Sequence, residues 1–270
     1  MKTLIVVPAR YGSTRFPGKP LQMIAGRSLV ERVYRIAEAV AVGALDISAV
    51  VATDDHRIAD HCAQIGARSV MTDPELPSGT DRALAATQAL GEVPDFVVNL
   101  QGDAPFTLPD HISALIGAAR ETGAPVVTPV VRLSWDGLDT VRGQKKTQPF
   151  SGTSCVRGAD GKAFWFSKTV LPAIRKEDQL RAEGELSPVF RHIGLYGYRL
   201  DALEAFTRLP VGHYETLEGL EQLRFLENGI AIQTIELEPT SRSMWGVDTP
   251  EDAVYAEKLI AEHGDPLEAL

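Results

Sequence analysis

Residues 3–21 read TLIVVPARYGSTRFPGKPL. The opening run, Thr3–Val7, is short, apolar and β-branched, and reads as a buried strand. It leads straight into a loop that carries Arg10, Arg15 and Lys19, with Gly12 and Gly18, and no acid. The first acidic residue of the chain is Glu31, after five basic ones, although the whole protein has 36 Asp+Glu against 27 Lys+Arg and a net charge of −9. A strand that ends in a glycine-bearing cationic loop is the first step of a parallel α/β sheet. Its ligands are expected beyond the carboxyl ends of the strands.

Outward from this stretch the pattern continues. SLVERVYRIAEAVA (28–41) has Leu29, Val33, Ile36 and Val40 at helical spacing, with Ser28 and Glu31 placed as a capping box. ISAVVAT (47–53) reads as a strand, then a helix closes at Gly66, then RSVM (68–71) and a helix over 81–91 follow. DFVVNL (95–100) is a strand ending on QGDAP, and Pro109 opens a further helix. This alternation predicts an α/β fold with a mostly parallel, doubly wound, Rossmann-like sheet and helices on both faces. The second half reads as a hairpin around Gly158–Gly161, one strand over 191–199, one helix over 215–229, a strand over 231–237 and a helix started by Thr249–Pro250. The stretch 132–152 is the least regular. The expectation is one domain over residues 1–270 with an inserted β-rich lobe around 150–215.

Composition narrows the class. Apolar content of 44% and charged content of 23% suit a soluble globular chain. An acidic chain lacks the broad basic surface of a nucleic-acid or anionic-membrane binder. Cys62 and Cys155 make neither a disulfide framework nor metal spacing, and no run approaches a membrane span. An intracellular, cytoplasmic protein is expected.

The opening loop is neither G-x-x-x-x-G-K-[ST] nor G-x-G-x-x-G, which weakens ATPase and dehydrogenase readings. Its donors instead suit a phosphate cradle. Asp103, at a strand end, and Asp248, before a helix start, are candidate Mg²⁺ carboxylates, since Mg²⁺ takes one or two carboxylates and fills its shell with phosphate and water. SGTDR (78–82) suits a base or ribose contact, or is a simple helix N-terminus. His192, Tyr196 and Tyr198 line a polyhydroxyl pocket or pack as strand aromatics. His56, His61, His111, His213 and His263 read as surface residues.

PARYGSTRFPGKPL, ATDD, SGTDR, NLQGDAP, FWFSK, RHIGLYGYR, LEGLEQLRFLENG and VDTPED, in this order, resemble the 3-deoxy-D-manno-octulosonate cytidylyltransferases (CMP-Kdo synthetases), over nearly the whole chain. The resemblance implies a nucleotidyltransferase fold whose β-rich lobe serves dimerisation and sugar binding. It implies transfer of CMP from CTP to the anomeric hydroxyl of a 2-keto-3-deoxy sugar acid, with pyrophosphate released, by a Mg²⁺-dependent homodimer serving lipopolysaccharide assembly. Arg10, Lys19, Asp103 and Asp248 match the catalytic positions, and Asp103 and Asp248 the metal positions, where the sugar's carboxylate would join the shell. Pro8, Ala9, Arg10, Ser13, Arg15, Lys19, Ser78, Gly79, Thr80, Arg82 and Gln101 match nucleotide-binding positions. Lys168, His192, Tyr196, Glu221 and Gln222 match the sugar pocket. The chain departs from the family pattern at Ala104, where an acid is common, at GTSCVRG (152–158), and at Lys168, where Arg is usual. These leave open a related acid such as 8-amino-Kdo or a sialic-like sugar. A nucleotide-sugar glycosyltransferase would carry an Asp-x-Asp motif, which TDD and GDAP are not. A non-catalytic relative is favoured by Ala104 alone.

Overall fold

β1 (Thr3–Ala9) is buried on both faces and pairs in parallel with the strands Ile47–Thr53 and Phe96–Leu100, which places it inside the sheet rather than at an edge. The computed structural model describes residues 1–12, 16–238 and 246–269. After β1 and a short 3₁₀ turn at Lys19–Leu21 come the hairpin β2 (Met23–Ile24) and β3 (Arg27–Ser28), then α1 (Leu29–Ala41). β4 (Ile47–Thr53), α2 (His56–Gln64), β5 (Ser69–Met71), α3 (Gly79–Leu90), β6 (Phe96–Leu100) and α4 (Pro109–Thr122) follow. β7 (Val126–Ser134) leads to α5 (Trp135–Gln144), β8 (Ser154–Arg157), β9 (Ala163–Ser167), α6 (Glu177–Glu183), β10 (Leu186–His192) and β11 (Leu195–Arg199). The chain closes with α7 (Leu200–Arg208), α8 (His213–Glu218), α9 (Gln222–Glu227), β12 (Ile232–Leu237), α10 (Pro250–His263) and a 3₁₀ turn.

Ten of these strands form one sheet in the order β5-β4-β1-β6-β11-β7-β10-β8-β9, with β12 also paired to β7. The half from β5 to β6 is parallel, and β12 is parallel to β7; the remaining pairs are antiparallel. Side chains alternate between two cores. Ile5, Val7, Val51, Val98 and Leu115 belong to one, and Leu4, Val6, Val97, Tyr198 and Phe206 to the other. Helices cover both faces. The tip of the β8–β9 hairpin turns back onto β12, where Thr234 N donates to the Gly161 carbonyl at 2.8 Å. The strands of the β-rich segment thus continue the main sheet. Among the described residues no helix is long and apolar enough to cross a membrane.

Four readings change. The segment 191–199 is two strands. β11 lies between β6 and β7, whereas β10 lies between β8 and β7, with the break at Ile193–Gly194. The predicted helix over 215–229 is also two, because Gly219 takes φ +62° and ends α8. The stretch 132–152 contains the end of β7 and all of α5, capped by Ser134. His111 is buried rather than at the surface, and its Nδ1 meets no partner.

Candidate active site

The cationic loop begins where β1 and β6 end side by side. A Cβ on Gly102 would lie 2.2 Å from the Pro8 carbonyl oxygen, so only glycine lets the two strand ends approach this closely. Asp54, at the end of β4, then anchors the loop. It accepts from Tyr11 N at 3.1 Å, and the buried Arg82 guanidinium of α3 lies 3.3 Å from its other oxygen. Arg82 also donates to Thr72 Oγ1 at 2.6 Å. Arg57 stacks 3.3 Å over the Tyr11 ring, and Gly18 N closes the loop onto the Tyr11 carbonyl at 3.0 Å. Ser13 and Arg15 lie outside the described residues.

Lys19 emerges from this loop with its Nζ 3.0 Å from Asp103 and 3.2 Å from Asp248. The two acids come from distant segments that are tied together, since Val247 N donates to the Asp103 carbonyl at 2.8 Å. Asp248 is set by the capping box of α10: Asp248 N and Thr249 N both donate to Asp252 Oδ2, at 2.9 and 2.8 Å. Both carboxylates thus face one cation position, that of the Lys19 ammonium. Among the described residues no cluster of three or more His, Cys, Asp or Glu could hold a metal. The pair therefore fits a hard divalent ion that completes its shell with ligand phosphate and water, as Mg²⁺ does, and not a protein-only cage.

Two cavities meet at this point. The smaller, about 260 Å³, is walled by Pro8, Ala9, Arg10, Lys19, Ser78 and Arg82, with Asp248. Ser78 caps α3, accepting from Asp81 N at 3.1 Å and donating to Asp81 Oδ2 at 2.6 Å. Such a cap stabilises by about 1 kcal/mol. It leaves the positive end of a twelve-residue helix turned to this cavity at Gly79. Gly79, Gln101, Asp103 and Glu221 line both cavities.

The larger cavity, about 390 Å³, opens where the strand 186–199 changes partners. β6 leaves it after the Leu100–Leu195 pair and β8 joins at the Ser154–Arg191 pair; His192 N still donates to the Thr153 carbonyl at 2.9 Å, and the gap on that edge falls at Ile193–Gly194. Its floor is an aromatic row: His192, Tyr196, Tyr198, Phe225 and Phe206 follow one another at centroid spacings of 5.2, 5.9, 5.7 and 4.9 Å. Thr128 Oγ1 donates to the Leu195 carbonyl at 2.8 Å, so toward His192 Nε2, 2.9 Å away, it acts as acceptor. His192 therefore carries its proton on Nε2 and keeps Nδ1 as an acceptor. Burial, and after it the Lys168 ammonium, pushes its pKa down to about 3. Glu221 accepts from Thr80 Oγ1 at 2.8 Å, and burial holds its carboxyl above the usual range. Gln222 is buried with its side-chain nitrogen unpartnered.

The structure thus gathers Pro8, Ala9, Arg10, Lys19, Ser78, Gly79, Thr80, Arg82, Gln101, Asp103, His192, Tyr196, Glu221, Gln222 and Asp248 around one cleft. Lys168 lines neither cavity; it stands behind Thr153, donating to that hydroxyl at 3.2 Å, while its backbone N–H goes to Glu218 at 2.8 Å. Sequence reading missed Asp54, Thr72, Thr128 and Arg191. Only Asp54 left a trace, as part of a strand-end TDD.

The cytidylyltransferase family profile matches residues 4–235. The chain is 46% identical over 266 residues to the 3-deoxy-manno-octulosonate cytidylyltransferase of Maricaulis maris, covering 98% of this chain and 99% of that one. It is 40% identical over 260 residues to the enzyme of the same name from Nitratidesulfovibrio vulgaris (Hildenborough), covering 96% of each. Its fold is similar to that of a CMP:2-keto-3-deoxy-manno-octonic acid synthetase solved in complex with CTP, with a TM-score of 0.82, 32% identity and coverage of 97% and 99%. With a profile match over most of its length and relatives that run nearly end to end, the chain belongs to the cytidylyltransferase family, among the 3-deoxy-manno-octulosonate cytidylyltransferases.

Proposed function

We propose that this chain transfers CMP from CTP to the anomeric hydroxyl of 3-deoxy-D-manno-octulosonate, releasing pyrophosphate, with Mg²⁺ as its cofactor. The observation that carries the reading is the Lys19 ammonium held between Asp103 and Asp248, beside the wall that the two cavities share. A relative named for this sugar acid and a similar structure holding CTP support the choice of substrates.

In this reading the smaller cavity takes the triphosphate. Arg10, Lys19 and the first turn of α3 offset its charge. The larger cavity takes the sugar, whose hydroxyls find acceptors in Glu221 and His192 Nδ1 and a donor in Gln222. Binding both partners across a common wall sets the anomeric hydroxyl against the α-phosphate, and such positioning alone contributes several kcal/mol, up to about 7–11 in well-oriented cases. Asp103 and Asp248 would hold Mg²⁺, whose chemistry is to acidify the attacking hydroxyl and offset charge at the α-phosphate. We assign no side chain as a general base. The chain works as one catalytic domain, with the 150–215 segment supplying much of the sugar wall, as a cytoplasmic homodimer serving lipopolysaccharide assembly. Sedimentation tests the dimer.

The deciding experiment is pyrophosphate release from CTP and Mg²⁺ with 3-deoxy-manno-octulosonate, 8-amino-Kdo and N-acetylneuraminate compared side by side. Release with the first, reduced at least 100-fold in Asp103→Asn and in Asp248→Asn, is expected. Release only with another acid would move the substrate. No release with any would overturn the reading.

A further inference from the structure

We propose that Arg191 binds the carboxylate of the sugar acid and so orients the reacting end of that substrate. The proposal rests on reading the larger cavity as the sugar-acid site. Arg191 lies on β10 at the rim of that cavity, half-buried, with its guanidinium plane against Gly152. Its Nε, Cζ and Nη2 atoms are 3.8, 3.9 and 3.9 Å from where a Cβ would stand on that residue.

What distinguishes this guanidinium is its lack of an acceptor. The fully buried arginines, by contrast, are satisfied: Arg32 by Asp265, Arg82 by Asp54 and Thr72, Arg224 by Glu215. Among the described residues, no acid, carbonyl, hydroxyl or ring meets Arg191. Its surroundings are cationic. Lys145 feels both Lys168 and Arg191, and the one acid beside them is Glu218. The oxygens of Glu218 are taken by Ser167 Oγ and Lys168 N, each at 2.8 Å. The Lys145 ammonium is spent on backbone carbonyls, including those of Ser151 at 2.6 Å and Lys168, and the Lys168 ammonium on Thr153.

A half-buried cation with five N–H donors and no acceptor is an incomplete site. A planar carboxylate is the group that matches its fork. In a 2-keto-3-deoxy sugar acid the carboxylate is the one anionic group and sits on the carbon that bears the reacting hydroxyl. The other anion in the cleft is the triphosphate, and the two are separable by experiment.

The test is steady-state kinetics of wild type, Arg191→Lys and Arg191→Gln, with the sugar acid and with its neutral C1-carboxamide. Arg191→Gln should raise KM for the acid about 10- to 100-fold, leave KM for CTP within about twofold, and largely erase the preference for acid over amide. Arg191→Lys should fall between. A raised KM for CTP with the acid–amide preference intact would assign the guanidinium to phosphate and overturn the proposal. Unchanged sugar kinetics in a glutamine variant that melts like wild type would do the same. A wild type that turns over no sugar acid would instead remove the functional reading on which the proposal stands.

Discussion

Thr80 donates its hydroxyl proton to Glu221 at 2.8 Å, which fastens the first turn of α3 to the loop between α8 and α9. Both residues line the larger cavity, and Glu221 lines the smaller one as well. Burial is the main cause that raises the Glu221 pKa, with this bond opposing it. A carboxyl whose pKa is raised by folding favours the fold fully below its ordinary pKa and loses that contribution as pH rises through the raised value. Glu221→Gln should therefore melt no lower than wild type at pH 8, with its relative advantage shrinking toward pH 4. Its KM for the sugar acid should rise about 10-fold, because an amide is a weaker acceptor for the sugar's hydroxyls. Paired melting curves and kinetics check both.

His192 gives the opposite sign. Its pKa is lowered to about 3, so its share of stability is present above the ordinary 6.5 and is lost as pH falls toward the lowered value. Wild type should lose stability more steeply than His192→Gln between pH 6.5 and 4. Chemical denaturation at four pH values reads the difference, and parallel curves would contradict it.

Chelation should abolish pyrophosphate release, and Mg²⁺ should restore it. Lys19→Met should raise KM for CTP by about 10- to 100-fold, since the variant loses a phosphate-facing cation and leaves Asp103 and Asp248 without the ammonium between them. A variant with unchanged CTP kinetics would show that Lys19 serves the two acids only.

Ala25 holds φ +45° in the turn between β2 and β3, next to Gly26 at φ +80°. A left-handed conformation suits Asn before Gly in a two-residue hairpin. Ala25→Asn should stabilise the chain by about 0.5–1 kcal/mol in urea denaturation, with kinetics unchanged.

The removal of Arg32 should be costly. Its fully buried guanidinium meets Asp265 three times, at 2.9, 3.1 and 3.1 Å, and donates to the carbonyls of Ile24 and Ala25. Arg32→Met strands all three acceptors and should cost about 3–5 kcal/mol, measured by the same denaturation.

The parallel half was legible because its strands and helices are set by local periodicity. β1, β4 and β6 are apolar runs that end in loops, and Ser78 and Thr249 sit at helix starts where short hydroxyl side chains cap. β7 was not legible, because Pro129 lies inside it. The Pro129 carbonyl accepts from Ile193 N at 3.1 Å, so its missing N–H faces the break between β10 and β11, where no ladder bond is lost. The change of partner within 186–199 was equally silent. His192, Tyr196 and Tyr198 keep to one face across it, so the alternation reads as a single strand. Arg191 left no signal, since what marks it is the partners it lacks in three dimensions.

The same break has a consequence for how this enzyme could diverge. In the proposed reading the strand ends that face the triphosphate belong to the parallel half, whereas Gly152, Thr153, Arg191 and His192 of the larger cavity lie across the interrupted edge at Ile193–Gly194. Mutations in the 150–168 segment can reshape the acceptor pocket without straining the register that aligns Ala9, Thr53 and the end of β6. Part of the acceptor wall can therefore change without touching the phosphate end, and of the unusual residues at 152–158 and 168 it is Gly152 and Thr153 that line that wall.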